Sequence, residues 1–136
     1  MSDKICEMYA RRHPSKIIFI RATSKWLAGK CRNYGIDYPI ESKYTLFIDA
    51  DDMYDGKSAL QKLHNVLEKC PDVLIYGYSI LNGSIKTQLP FRKFDAKSNA
   101  LANTAFNSSW SKAIKSSKIA YFLEDCMQGE DTYMWL

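Results

Sequence analysis

Apolar residues recur along this chain at two spacings, and the alternation between them sets out an α/β order. Ile5, Met8 and Tyr9 share one helical face behind Ser2 and Asp3, either of which can cap the first turn, and Pro14 stops that helix. Lys16-Ile17-Ile18-Phe19-Ile20 is a short apolar run of the kind that buried strands make. Residues 24–36 return to helical spacing, with Leu27, Cys31 and Tyr34 on one stripe and Gly35 as the stop. A strand over 43–48 follows. Ser58 and Gln61 then have capping-box spacing for a helix carrying Leu60, Leu63, Val66 and Leu67, which Pro71 closes. Val73-Leu74-Ile75-Tyr76 reads as a further buried strand, and Asn82-Gly83 predicts a hairpin, with antiparallel pairing after residue 80. No repeat, low-complexity segment or linker interrupts the series, so residues 1–136 are expected to form one domain.

Composition narrows the classes of function. An apolar fraction of 46% with 25% charged residues fits a soluble globular protein. No stretch approaches the roughly 18 consecutive apolar residues that a membrane span needs. Met1-Ser2-Asp3-Lys4 carries no apolar signal-peptide core, so a cytoplasmic protein is expected. The net charge of +4, from 19 basic and 15 acidic side chains, favours an anionic ligand. The basic residues are scattered, as Lys112, Lys115 and Lys118 are, and nucleic acid is not an expected partner. The four cysteines, Cys6, Cys31, Cys70 and Cys126, contain no CxxC pair, which argues against zinc. Cys6 and Cys31 fall in helical patterns and are expected to be buried, reduced thiols.

Candidate chemistry begins where the strand over 43–48 runs into Asp49-Ala50-Asp51-Asp52, three carboxylates in four residues. Like charges this close repel, and such a cluster persists most easily with a cation among them. Hard oxygen ligands suit Mg²⁺ or Mn²⁺ holding a phosphate, and open α/β sheets bind ligands at the carboxyl ends of their strands. A solvated acidic turn is the plain alternative. Gly129-Glu130-Asp131 opens a helical pattern near the C-terminus; it reads as a helix cap or as a general base that takes a proton from a hydroxyl. Gly29, Lys30 and Arg32 in the helix over 24–36 suit a diphosphate or, more commonly, a solvated helix face. Trp110-Ser111-Lys112 reads as a sugar-stacking platform beside a cation or as a core tryptophan. His13 and His64 lack a companion at metal or nucleophile spacing, so no Ser–His or Cys–His pair is expected.

The order of these pieces resembles the family-two glycosyltransferases of GT-A fold. Members show an "ARNxGI" helix, an "FxDxDD" strand end, a "W-x-K" segment and a "GED" helix. The matching residues are Cys31-Arg32-Asn33-Tyr34-Gly35-Ile36, Phe47-Ile48-Asp49-Ala50-Asp51-Asp52, Trp110-Ser111-Lys112 and Gly129-Glu130-Asp131. The resemblance spans nearly the whole chain, with a cysteine at Cys31 where alanine is usual.

The resemblance implies an α/β, GT-A-like mixed sheet flanked by helices. It also implies transfer of a sugar from a nucleotide-diphosphate sugar, a UDP-sugar foremost, to an acceptor hydroxyl with inversion. Asp51 would coordinate Mn²⁺ or Mg²⁺, Asp49 would contact the ribose or sugar, and Asp52 would support the same turn. Arg32 and Asn33 would shape the donor side. Asp131 would be the catalytic base with Glu130 beside it, while Trp110 and Lys112 would face a glycan, lipid-linked or protein acceptor. Members normally begin with a strand of the "SVIIPVYN" kind and a second ending "DDGSTD". The resemblance therefore implies a sheet lacking those first two strands, with exposed inner edges that favour self-association or a partner chain. A place peripheral to the inner face of a membrane is a secondary expectation beside the cytoplasmic one. Two other readings accompany it. One is a GT-A-like remnant that serves as a binding or assembly module without turnover. The other is a phosphatase-like hydrolase opening on an apolar strand and DxD, against which Met53 stands where Thr or Val is usual.

Overall fold

The computed structural model describes residues 2–88 and 108–126. Helix α1 (Ser2–Arg12) forms as its spacing predicts, with Asp3 in the first turn and Arg11 and Arg12 in the last, where each charge complements the helix dipole. Its apolar face stays open to solvent: Ile5 is 49% and Tyr9 47% exposed. The run that follows is not a strand, which corrects the expectation for residues 16–20. A strand needs a neighbour to take its backbone hydrogen bonds, and no described element pairs with this one. Ile18 and Ile20 accordingly remain exposed.

Helix α2 (Ala28–Asp37) runs through Gly35 instead of stopping there. The buried residues are Gly29 and Asn33, with Arg32 and Ile36 half-buried, a face at i, i+3, i+4 and i+7. The expected stripe of Leu27, Cys31 and Tyr34 is therefore displaced: Cys31 and Tyr34 are exposed. Cys6 is exposed as well, so neither thiol expected in the core is there.

Strand β1 (Tyr44–Leu46) leads to the acidic turn, and helix α3 (Ala59–Leu67) follows. Ser58 precedes α3 without a side-chain cap bond, and Gln61 donates to Asn65 Oδ1 at 2.9 Å instead of closing a capping box. Strands β2 (Val73–Ile75), β3 (Ser79–Asn82), β4 (Ile85–Gln88) and β5 (Lys112–Lys115) complete the described elements. β3 and β4 form the expected hairpin, but its central residues are Gly83-Ser84, with Asn82 still in the strand. Gly83 has φ 59° while Ser84 keeps a negative φ, the sign pattern of a type II′ turn, whose first central position favours glycine.

The other sheet has the order β1-β5-β2, both pairs antiparallel, so β1 and β2 run the same way with β5 reversed between them. Ile114 lies between Thr45 and Val73, and Ala113 between Leu46 and Leu74. Sequence patterning missed β5 because Lys112-Ala113-Ile114-Lys115 is short and flanked by lysines. Its central place nevertheless buries Lys112, Ala113 and Ile114. Ile114 and Phe122 form the core, with Ile36, Phe47 and Ile119 packed on them. Phe47 meets Phe122 edge to face at 5.1 Å.

Candidate functional site

The register of the sheet decides which residues meet. Because β1 and β2 are both antiparallel to β5, the residues after Leu46 and Ile75 arrive at the same end as those before Lys112. The Tyr76 N–H donates to the Ser111 carbonyl at 3.0 Å and extends that pairing by one step. The acidic turn Asp49 to Asp52 and the segment Trp110 to Lys112, far apart in sequence, thus arrive at one end of the sheet, and Arg32 reaches Asp49 from α2.

The acidic turn is closed by the Asp52 N–H donating to the Asp49 carbonyl at 3.1 Å. Arg32, whose side chain is 10% exposed, donates from Nη2 to Asp49 Oδ1 at 2.8 Å. Its guanidinium also lies 5.2 Å from the Phe122 ring centroid, so a cation–π contact holds it in place. Asp49 is thus answered inside the protein, whereas Asp51 and Asp52 are exposed. The Asp52 carboxyl lies above the usual carboxylate value, first through desolvation and then through the charges of Asp51 and Asp49.

That shift has a sign for stability. An acid whose value is raised by folding disfavours the folded state when ionised, and the penalty fades as pH falls through the folded value. Asp52→Asn is expected to raise Tm slightly near pH 7 and to leave it unchanged near pH 3, where the carboxyl is protonated in both states. A gain of equal size at both pH values in a thermal melt would exclude charge repulsion as its cause.

Asn33 behaves as a structural clamp. Its Nδ2 donates to the Phe122 carbonyl at 2.9 Å and to Glu124 Oε1 at 3.2 Å, while its Oδ1 accepts from the Phe122 N–H at 2.8 Å. A side-chain amide here satisfies both polar groups of one buried peptide segment. Lys112 is 2% exposed, and its Nζ donates to the Ser108 carbonyl. Trp110 meets Tyr78 edge to face at 4.7 Å. Sequence reasoning missed the tyrosines at this end. Tyr76 donates to the Trp110 carbonyl at 2.7 Å and shares a hydrogen bond with Tyr54. Burial, followed by the influence of Tyr54, pushes the Tyr76 phenol far above its ordinary value. The rule that singled out Asp49 applies equally to Tyr76, which directly follows an apolar strand.

Glu130 and Asp131 lie outside the described residues. Among the described residues no three His, Cys, Asp or Glu side chains converge to hold a metal by themselves. A cleft of about 300 Å³ lined by Ile36, Tyr38, Tyr44, Leu46, Ser116 and Ile119 contains none of the acidic residues. No helix among the described residues is long and apolar enough to cross a membrane.

Comparison with known proteins finds a match to the family described as Glycosyl transferase family 2 over residues 2–123. Comparisons with curated proteins and with solved structures gave no significant match.

Proposed function

The chain belongs to glycosyl transferase family 2, and from that premise we propose that it takes part in metal-dependent transfer of a sugar from a nucleotide-diphosphate donor to an acceptor hydroxyl, with inversion. The observation that carries this reading is the pair of exposed carboxylates, Asp51 and Asp52, at the carboxyl end of β1 and at the same end of the sheet as Trp110. A Mg²⁺ or Mn²⁺ ion with one or two protein carboxylates completes its shell with phosphate oxygens and water, which fits a turn that does not assemble three ligands alone. Asp51 would hold the ion, with Asp52 beside it, and the ion would supply Lewis-acid stabilisation of the departing diphosphate.

The roles left to the chain follow from what each side chain already does. Arg32 holds Asp49 at 2.8 Å and so fixes the near end of the turn that would contact the ribose or sugar. Asn33 anchors α2, and with it Arg32, to the Phe122 backbone. In the proposed displacement the acceptor oxygen attacks the anomeric carbon as the bond to the diphosphate breaks. Asp131, with Glu130 beside it, takes the hydroxyl proton. Trp110, braced by Tyr78, stands at the acceptor side, while buried Lys112 supports the segment carrying it. A glycan, lipid-linked or protein acceptor would enter there.

Isothermal titration with UDP in the presence and absence of Mn²⁺ tests the donor site. We expect Mn²⁺-dependent heat that weakens about tenfold or more in Asp51→Ala, on the scale of losing a ligand that a charged diphosphate depends on. No heat, or heat indifferent to Asp51→Ala, would reject donor binding by this chain. A second reading, a binding or assembly module without turnover, is favoured by the open apolar face of α1 at Ile5, Met8 and Tyr9. It requires a flat UDP titration together with an oligomer or complex that Met8→Glu disperses in sedimentation.

A further inference from the structure

We propose that Tyr76 is a positioning residue that couples the acidic turn to Trp110, its phenol linking the segment that leaves the turn to the backbone carrying the tryptophan. Its meaning for transfer rests on the donor and acceptor roles proposed above, whereas the link itself is geometric. Tyr76 follows β2 directly and bonds the Trp110-Ser111 segment twice. Its N–H donates to the Ser111 carbonyl at 3.0 Å, and its hydroxyl donates to the Trp110 carbonyl at 2.7 Å. Tyr78, two residues on, meets the Trp110 indole edge to face at 4.7 Å. One short segment therefore fixes both the backbone and the ring of Trp110.

The other end of the link is Tyr54, two residues beyond Asp52, whose phenol hydrogen-bonds that of Tyr76. Counting hydrogens sets the direction. The Tyr76 hydroxyl has one, and the Trp110 carbonyl can only accept it, so Tyr54 is the donor to the Tyr76 oxygen. Burial is the first cause that raises both phenols above their ordinary value, so each keeps its hydrogen near neutral pH. Both residues are half-buried, where a broken hydrogen bond costs more than at the surface. The neighbouring contact, between Asp55 and Lys86 of β4, is an exposed ion pair and holds little by comparison. The phenols thus carry the constraint on the chain that leaves Asp49 to Asp52.

Such a link is reciprocal: what orders the turn steadies Trp110, and what seats against Trp110 steadies the turn. Trp110 would accordingly be set for an acceptor once the turn holds its diphosphate.

In a nitrogen–proton correlation spectrum the full chain offers a reporter at each end. One is the indole N–H of Trp110, told from those of Trp26 and Trp135 by Trp110→Phe. The other is the backbone N–H of Asp52, which bonds the Asp49 carbonyl. Tyr54→Phe should shift the Trp110 indole and speed hydrogen exchange of the amide at position 76 about twofold to tenfold, the scale of one lost hydrogen bond. Tyr76→Phe should shift the Asp52 amide, which a purely local role at Trp110 would leave unmoved. Once Tyr76→Phe has cut the link, adding Tyr54→Phe should move the Trp110 indole no further. With Mg²⁺ and UDP the Trp110 indole should move in the unsubstituted chain and stay still in Tyr76→Phe, while the heat of UDP binding persists. A Trp110 indole indifferent to Tyr54→Phe, or an Asp52 amide indifferent to Tyr76→Phe, would overturn the proposal. So would UDP heat without any movement of Trp110. A chain that gives no UDP heat loses the donor reading alone, since the ligand-free spectra still decide the link.

Discussion

Asn33→Ala is expected to lower stability by about 2–4 kcal/mol, because it strips both hydrogen-bond partners from a buried peptide segment and each orphaned group costs about 1–3 kcal/mol. The Asn33 side chain is 5% exposed as a residue and serves the N–H and carbonyl of Phe122 together. Alanine leaves those groups facing a helix surface that offers them nothing. The loss should appear in urea titration as a lower midpoint with an unchanged slope. Asn33→Asp gives a second reading of the same contact. It keeps an acceptor for the Phe122 N–H but removes the donor to the carbonyl and sets a carboxylate against Glu124, now 3.2 Å from Nδ2. Repulsion raises the carboxyl in the folded state, so this variant should recover stability as pH falls through the carboxylate range. An Asn33→Ala midpoint within experimental error of the original would show that water replaces the clamp, and the account of α2 would fail.

That clamp explains why the sequence showed the fold and the site unequally. Helices α1 and α3 were legible because apolar residues recur in them at helical spacing, and the hairpin because Gly83 occupies a position that needs positive φ. Helix α2 was expected over 24–36 but starts only at Ala28 and runs on to Asp37, and it was faced wrongly. Hydrophobicity directed attention to Leu27, Cys31 and Tyr34, while the contact is made by a glycine and an amide that fit a backbone. Residues 16–20 have strand composition, yet composition cannot supply the neighbour that a strand requires. β5 was hidden for the opposite reason: Lys112 and Lys115 mask a central strand whose place comes from two partners distant in sequence. At the site, Asp49 to Asp52 stood out as a local cluster. That Trp110 and Tyr76 lie at the same end of the sheet as these carboxylates depends on the register of three strands, which no local pattern contains.

Gly29→Ala should destabilise the fold by about 2–3 kcal/mol, the usual scale for forcing a methyl group into a filled contact. The sign is informative, since alanine is otherwise the better helix former, by up to about 1 kcal/mol in a helix interior and less in the first turn where Gly29 lies. A Cβ at Gly29 would overlap the Leu123 carbonyl and press on the Phe122 Cβ at 3.4 Å. The obstacle is backbone, which cannot swing aside as a flexible side chain can. Relief therefore requires α2 to lift from residues 122–123, and that movement stretches the Asn33 bonds one turn further along the same face. The two substitutions should then be less than additive: in a double-mutant cycle with Asn33→Ala the coupling should reach about 1 kcal/mol, whereas independent sites add within about 0.3–0.5 kcal/mol. Arg32 lies on the helix between them and must move as well, loosening its 2.8 Å contact with Asp49. Gly29→Ala should consequently weaken Mn²⁺-dependent UDP binding at temperatures where the protein remains folded, although no atom of Gly29 belongs to the acidic turn. Full additivity in the cycle, with UDP binding unaltered, would mean that α2 yields locally and that the glycine and the acidic turn are not mechanically connected.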